Sequence, residues 1–408
     1  MPTSKNSATP SSTSAAASTV PSIDQATALL GGLTPQQFMQ RHWQKQPLLV
    51  RHALPDVAPP VSRAELFRLA ADEAVESRLV VRSGQGRAAN WSLAHGPLSR
   101  RSLPALATPG WTVLVQGLNQ HVPAADELLA RFRFIPQARL DDLMVSWASV
   151  GGGVGPHFDS YDVFLIQVQG QRRWRIGRMP DAKLRKGVPL KLIANFRAEE
   201  EFVLSPGDML YLPPGWAHDG DAVGGECMTC SVGFRSPARS ELAREVLLRL
   251  ADSQVDDDTH LATPAGAHYS DPAQPAVAEP GRLPAALLQF AQAGLAAALT
   301  EPGALARALG EYLSEPKPQV SFVAEVDADP MQGVRLAPGS CMLYDDEHVF
   351  LNGDAWRVAG RDARHLRELA DRRWLDGRTV ARTSKSLRDQ LAAWLDDGWL
   401  LTLDGGPG

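Results

Sequence analysis

The chain has 408 residues, of which 44 % are hydrophobic and 21 % are charged, values ordinary for a soluble globular protein. Its formal net charge of −5 argues against non-specific binding to nucleic acid, and no direct DNA binding is expected. No apolar run reaches the roughly 18 residues of a membrane span, and the N-terminus lacks the apolar core of a secretory signal. The 3 cysteines indicate a reducing compartment, so we expect a cytoplasmic protein without membrane association.

The first predicted elements are a tail and two helices. Residues 1–22 are rich in Ser, Thr, Ala and Pro, and such a segment buries too little apolar surface to offset its ordering entropy, which predicts disorder. A hydroxyl residue followed three positions later by Gln or Glu predicts helix starts at Thr34 and Ser62. Runs of β-branched and aliphatic residues predict short strands at 48–50, 79–81 and 111–115.

The central and C-terminal parts differ in their patterns. From 142 to 234, short β-rich runs alternate with Gly and Pro turn signals, which predicts a jelly-roll barrel within an α+β fold. Helical spacing follows, with a break at 302–303, and the chain ends in a helix–helix–strand pattern typical of a small winged-helix-like domain. The predicted domains are a tail (1–22), a catalytic barrel (23–236), a helical region (237–316) and a winged-helix-like domain (317–408).

Three side chains in the β-rich block have the character of metal ligands. His157 and Asp159 are two residues apart, so a strand would point both toward one face. His218 follows a Pro-Pro-Gly corner at the end of a later strand. Two histidines and one carboxylate leave coordination positions open, as in non-haem Fe(II) oxygenases. The same ligand types bind zinc, which is the alternative metal.

Arg172 is the candidate for holding an anion in the barrel. It shares a strand face with the apolar Trp174 and Ile176, so its guanidinium should point inward. A buried guanidinium needs a negative partner, which is either a nearby Asp or Glu or the distal carboxylate of a dicarboxylate cosubstrate. Ser146, on the strand before the metal loop, either donates to that carboxylate or is a packed core serine.

Several segments resemble a known family. The segments are HWQK (42–45), SLAHGP (92–97), DDLM (141–144), GGGVGPHFDSYDVF (151–164), GQRRW (170–174), PPG (213–215) with His218, SVGFR (231–235) and YSDP (269–272). Over residues 34 to about 275, and more loosely to the end, the chain resembles the bacterial ribosomal oxygenases, which are JmjC-type, cupin-fold enzymes with a double-stranded β-helix barrel.

The resemblance implies a specific activity. It implies Fe(II) held by His157, Asp159 and His218, with 2-oxoglutarate held by Arg172 and assisted by Ser146, and O₂ as the oxidant. It also implies 3-hydroxylation of an arginine in the sixteenth protein of the large ribosomal subunit. A helical dimerisation region, and hence a homodimer, and a C-terminal winged-helix domain complete the family pattern.

Other interpretations remain open at this point. The barrel also suits a histidine or asparagine hydroxylase, a demethylase, or a non-catalytic metal-binding cupin, although a passive cupin has no need of an inward Arg172. Asp162 is a candidate partner for a substrate arginine, or a turn cap. Cys227 and Cys230, three apart on a strand, should face opposite ways and not pair. The arginines between Arg361 and Arg373 form either a solvated face or a contact with ribosomal RNA.

Overall fold

The computed structural model describes residues 22–84, 89–255, 268–272, 274–276 and 281–403. The predicted disordered tail therefore lies, apart from Ser22, outside the described residues. In the described ranges, no helix combines the length and the apolarity that a bilayer crossing requires. The fold is α+β, as predicted, and begins with seven helices and strands that cover one side of the barrel. They are α1 (Pro35–Arg41), β1 (Leu48–Val50), α2 (Arg63–Ala70), β2 (Ser77–Ser83), β3 (Asn90–His95), β4 (Trp111–Val115) and α3 (Pro123–Ala130).

Both predicted helix starts are confirmed. The Thr34 hydroxyl accepts the backbone N–H of Gln37, whose side-chain oxygen accepts the N–H of Thr34, so α1 begins with a complete capping box. Ser62 accepts the N–H of Glu65 at the start of α2. These caps satisfy backbone donors that no earlier turn can satisfy, and they fix where each helix begins.

The barrel consists of five further strands, two of which are long. They are β5 (Leu140–Ala148), β6 (Val163–Arg178), β7 (Glu200–Leu204), β8 (Met209–Leu212) and β9 (Trp216–Phe234). The larger antiparallel sheet has the order β1-β8-β6-β9-β5-β4-β2-β3. The long strands β6 and β9 bend and belong to two sheets. The second half of β6 and the first half of β9 form a smaller sheet with β7. This arrangement is the predicted double-stranded β-helix.

The bend in β6 occurs at Gly170. The pairing between β6 and β9 shifts register on both sides of Gln169, and Gly170 adopts a φ of 63°. A Cβ at Gly170 would lie 2.2 Å from the Glu226 carbonyl oxygen, so only glycine fits. The bend separates the half of β6 that packs against the N-terminal helices from the half that carries Arg172.

The two faces of the larger sheet have different roles. One face packs against the N-terminal helices in the main hydrophobic core, in which Phe38, Phe164 and Tyr211 are in mutual ring contact. The other face lies inside the barrel, where Leu165 and Leu210 pack with Trp174 and Ile176. The predicted inward face of the second half of β6 is therefore confirmed.

The C-terminal part contains three helices and a mixed domain. The elements are α4 (Arg239–Val255), α5 (Ala285–Thr300), α6 (Ala304–Ser314), β10 (Gly333–Leu336), β11 (Met342–Tyr344), β12 (His348–Leu351), β13 (Asp354–Arg357), α7 (Gly360–Arg372), β14 (Trp374–Asp376), α8 (Gly377–Ala381), α9 (Lys385–Asp396) and β15 (Leu400–Thr402). The predicted break at 302–303 separates α5 from α6. The helix α7 ends before Trp374, because Arg373 adopts a φ of 69°.

Candidate metal centre

His157 and His218 are cross-strand neighbours in the smaller sheet of the barrel. The segment before His157 runs antiparallel to the start of β9, with reciprocal backbone hydrogen bonds of 3.0 Å from the His157 N–H and 2.7 Å from the His218 N–H. The two rings have centroids 4.3 Å apart. Asp159 completes the group, and its Oδ2 lies 3.6 Å from His218 Nε2. The structure thus brings together all three predicted ligands, with their ligand atoms within 4.8 Å of one another.

Backbone carbonyls orient both imidazoles. His157 Nδ1 lies 2.8 Å from the Gly155 oxygen, and His218 Nδ1 lies 3.0 Å from the Trp216 oxygen. A carbonyl only accepts hydrogen bonds, so each ring carries its proton on Nδ1 and presents a lone pair at Nε2. Burial is the main cause, and the nearby His157 the second, that lower the pKa of His218 to about 4, so this ring is neutral at pH 7.

The donor set fits an open metal site. Among the described residues, the group contains two histidines and one aspartate and no fourth His, Cys, Asp or Glu. A structural zinc site is closed by four protein ligands, which this set does not supply. Two histidines and one carboxylate on one face instead match the ligand set of non-haem Fe(II) oxygenases.

The metal group opens into a cavity of about 380 Å³ that also contains Arg172 and Ser146. Arg172 is only 2 % exposed, and its guanidinium donates to the Ser146 hydroxyl at 3.2 Å and to the Gly220 carbonyl at 3.3 Å. Its Cζ lies 5.0 Å from the Trp174 ring centre, while its Nε is buried without a hydrogen-bond partner. The Ser146 hydroxyl in turn lies 3.5 Å from the Thr229 carbonyl oxygen, at the limit of hydrogen bonding.

The charge of Arg172 has no protein counterion in the described part of the chain. No Asp or Glu there lies within 4.0 Å of its guanidinium, so the salt-bridge alternative for this residue is not realised. Gly220 permits the close approach, since a Cβ there would lie 2.8 Å from Arg172 Nε. A buried and unpaired cation facing a cavity requires an anion from solution.

Comparison with known proteins agrees with this site. A JmjC domain profile matches residues 127–242, and a ROXA-like winged-helix profile matches residues 296–401. The chain is 36 % identical over 287 residues to the ribosomal protein uL16 3-hydroxylase of Escherichia coli K12, a match covering 70 % of this chain and 72 % of that protein. The chain belongs to the JmjC-type ribosomal oxygenases.

Other relatives extend this result to structures. A probable ribosomal oxygenase of Haemophilus influenzae is 40 % identical over 214 residues, which cover 52 % of each protein. The crystal structure of E. coli YcfD superposes with a TM-score of 0.76 at 30 % identity, over 91 % of this chain and 98 % of that one. Another structure of YcfD, in complex with cobalt and 2-oxoglutarate, has a TM-score of 0.74 at 30 % identity, over 90 % of this chain and 98 % of that one.

The acids that line the cavity of this ribosomal oxygenase are Asp141 and Asp142, together with the metal group's Asp159. The prediction that Asp162 contacts the substrate is wrong. Its side chain is fully buried outside the cavity, where it accepts the Tyr211 hydroxyl at 2.6 Å and the Gln44 amide at 3.0 Å. Asp162 therefore fixes the segment that follows α1 against the barrel.

We expect the Asp162→Ala variant to lower the free energy of unfolding by about 3 kcal/mol, because it leaves the buried Tyr211 hydroxyl without its acceptor. Urea denaturation measures this loss, and the exposed Asp181→Ala is the control. Hydroxylation per folded molecule should stay within about twofold of wild type, since surviving molecules keep their cavity. A selective rise in the KM for the protein substrate would instead show that Asp162 takes part in substrate binding.

The connection between β6 and β7 (residues 179–199) closes one side of the cavity. Leu190 and Leu192 line the wall, and the Ile193 N–H donates to the Pro156 carbonyl at 2.8 Å, one residue before His157. Sequence reasoning missed this wall because it contains no ligand pattern. Its only signal is a pair of leucines within an otherwise basic loop.

Two further sequence features are resolved. Cys227 and Cys230 are buried on β9 in separate hydrophobic clusters, so they face opposite ways as predicted. The interpretation of the C-terminal arginines as one solvated face is wrong for two of them. Arg367 donates to the Asp345 and Asp346 carbonyls, and Arg373 donates to the Ala337 and Ser340 carbonyls. The exposed members are Arg361, Arg364 and Arg372.

Proposed function

We propose that this protein is an Fe(II)- and 2-oxoglutarate-dependent dioxygenase that 3-hydroxylates an arginine of ribosomal protein uL16. The observation that carries the proposal is the convergence, in one cavity, of an open metal group with a buried guanidinium that has no protein counterion. The membership in the ribosomal oxygenases and the uL16 3-hydroxylase of E. coli support the choice of substrate protein.

Each residue has a defined task in this proposal. His157, Asp159 and His218 would hold Fe(II), and Arg172 with Ser146 would hold the distal carboxylate of 2-oxoglutarate. Bound iron, with O₂ and 2-oxoglutarate, would supply the oxidation of an unactivated C–H bond. The Gly155 and Trp216 carbonyls orient the two imidazoles through Nδ1.

The cavity also supports a cationic substrate side chain. Asp141 and Asp142 lie on the wall of the same cavity as the metal group, with Tyr161 also contributing to its lining. A guanidinium that entered the cavity would face the carboxylates of this wall, which can accept charge-assisted hydrogen bonds. A histidine or asparagine substrate has no such requirement for charge, and for this reason arginine is the proposed target.

Mass spectrometry of recombinant uL16, after incubation with the protein, Fe(II), 2-oxoglutarate and air, tests the function. A gain of one oxygen on an arginine supports it, and reactions without 2-oxoglutarate are the control. A gain on histidine selects the histidine hydroxylase alternative. Loss of a methyl group selects a demethylase, and the absence of both modification and succinate release favours a non-catalytic cupin.

We also propose that the helical region spans 237–316, that the winged-helix-like domain spans 317–408, and that the protein is cytoplasmic, where ribosomal proteins are made.

We propose further that the protein is a homodimer formed through α5. Within the described residues, α5 has no buried side chain, although it is almost entirely apolar. Its exposed members include Leu288 at 56 % and Leu295 at 53 %. A helix that is apolar all round requires a covering surface, and a second copy of α5 provides one of matching character.

The dimer has a direct test. The double variant Leu288→Glu/Leu295→Glu is expected to convert the protein to a monomer, because burying two carboxylates in an apolar interface is strongly unfavourable. Size-exclusion chromatography with light scattering measures the mass. Val326→Glu, at an exposed loop position outside the helices, is the control and should leave the mass unchanged. A wild-type protein that is monomeric would overturn the proposal.

A further inference from the structure

Lys317 forms a clamp on the acidic wall of the cavity. It lies on the segment that follows α6, and its ammonium is 2.9 Å from Asp141 Oδ1 and 3.0 Å from Asp142 Oδ2. Asp142 is only 2 % exposed and also accepts hydrogen bonds from the Gln116 amide and the Gly117 N–H. The clamp therefore joins the segment that leads into the C-terminal domain to strand β5 of the barrel.

The same two carboxylates contribute to the cavity wall, whereas Lys317 does not. Consecutive residues of a regular strand face opposite sides, but the pairing of β5 with β9 shifts register between Leu140 and Asp142. Both carboxylates consequently reach the same region. The ion pairs of Asp141 with Lys317, at 2.9 Å, and with Arg235, at 3.7 Å, are both made through Oδ1.

The charges of the clamp depend on one another. Burial alone would lower the pKa of Lys317, but Asp142 and Asp141 outweigh this effect and raise that pKa, so the ammonium stays charged. Burial raises the pKa of Asp142, and Lys317 opposes that rise. Without the ammonium, a buried carboxylate would lose its counterion and its geometry.

We propose that Lys317 is a positioning residue for substrate binding: it holds the Asp141 carboxylate on the cavity wall so that this carboxylate receives the cationic side chain of the substrate. This inference rests on the proposed arginine hydroxylation. Through Lys317, the segment that enters the C-terminal domain becomes part of the substrate site, although that segment contributes no metal ligand and no partner of Arg172. The expected signature is a change in the KM for uL16 with little change in kcat or in the KM for 2-oxoglutarate.

A double-mutant cycle tests the proposal with recombinant uL16 as the substrate. The Lys317→Met and Asp141→Asn variants are each expected to raise the KM for uL16 about tenfold, the size of one hydrogen bond to a charged group. The double variant should resemble Asp141→Asn alone, because Lys317 acts through Asp141. Lys317→Arg keeps the charge and should restore the KM to within about threefold of wild type.

Arg249→Met is the matched control. Arg249 pairs with Glu315, two residues before Lys317, and with Glu245, but it does not reach the cavity. It should leave the KM unchanged while removing a comparable ion pair. If Lys317→Met does not fold, Lys317→Gln, which also lacks the charge, replaces it in the cycle.

The outcomes distinguish a failure of the proposed function from a failure of the role proposed for Lys317. Wild-type protein that fails to modify an arginine of uL16 overturns the proposed function and this inference together. Wild-type turnover with an unchanged KM in the Lys317 variants overturns this inference alone. Additive effects in the double variant, or an equal rise in the KM for Arg249→Met, show a merely structural role and also overturn it.

Discussion

The His157→Ala variant is expected to lose stoichiometric iron and to lower the turnover of uL16 by more than about a hundredfold, since even the outer contacts of metal ligands are worth 10–100-fold. Removal of one imidazole leaves only His218 and Asp159, which do not fix a metal in a defined geometry. Metal analysis of protein reconstituted with Fe(II) under anaerobic conditions measures the first effect, and mass spectrometry of uL16 measures the second.

The control for this variant is His95→Ala, which removes an exposed histidine at the end of β3. It should retain both iron and turnover. Because the His157 ring packs near His218 and not in the main core, we expect the variant to stay folded, and circular dichroism checks this. Full iron content together with wild-type turnover in His157→Ala would show that His157 is not a metal ligand.

The Arg172→Met variant is expected to raise the KM for 2-oxoglutarate about a hundredfold, because two hydrogen bonds to a charged carboxylate contribute about 3 kcal/mol together. Iron binding should survive, since the hydrogen bonds of Arg172 go to Ser146 and Gly220 and not to a metal ligand. Succinate release at varied 2-oxoglutarate, and metal content by elemental analysis, are the two measurements.

The adjacent arginine provides a matched control for this prediction. Arg173 faces the opposite side of β6 and pairs with Asp221 at 2.8 Å. Arg173→Met removes the same charge from the same strand and should leave the KM for 2-oxoglutarate unchanged. An equal rise in both variants would indicate a general electrostatic effect, and an unchanged KM in Arg172→Met would make our assignment of that residue wrong.

The parts of the site that follow from strand periodicity were predictable. Spacing by two residues predicted that His157 and Asp159 face one side; they do meet, although their segment forms only an isolated bridge at His157 and not the expected strand. The apolar neighbours Trp174 and Ile176 identified Arg172 as inward-facing. The position of His218 followed from the rigid turn before its strand. In each case a local rule decides which way a side chain points, and the barrel then brings these side chains into one cavity.

The parts that depend on irregular or long-range geometry were not predictable. Asp141 and Asp142 reach one cavity through a register shift, which alternation does not reveal, although Asp142 is in phase with Ser146 on β5. Lys317 meets them from a segment 175 residues away along the chain. Asp162 was misassigned because closeness in sequence to the metal ligands does not fix the face on which a residue lies.

The reciprocal backbone hydrogen bonds between His157 and His218 have an evolutionary consequence. Because main-chain pairing sets the distance between these ligands, amino-acid replacements elsewhere around the cavity leave the iron position intact. Other residues that line the cavity, such as Asp141 and Tyr161, are then free to diversify and to accept another kind of target side chain. Such a scaffold can acquire new targets through a few changes on one wall while its oxidative chemistry is inherited unchanged.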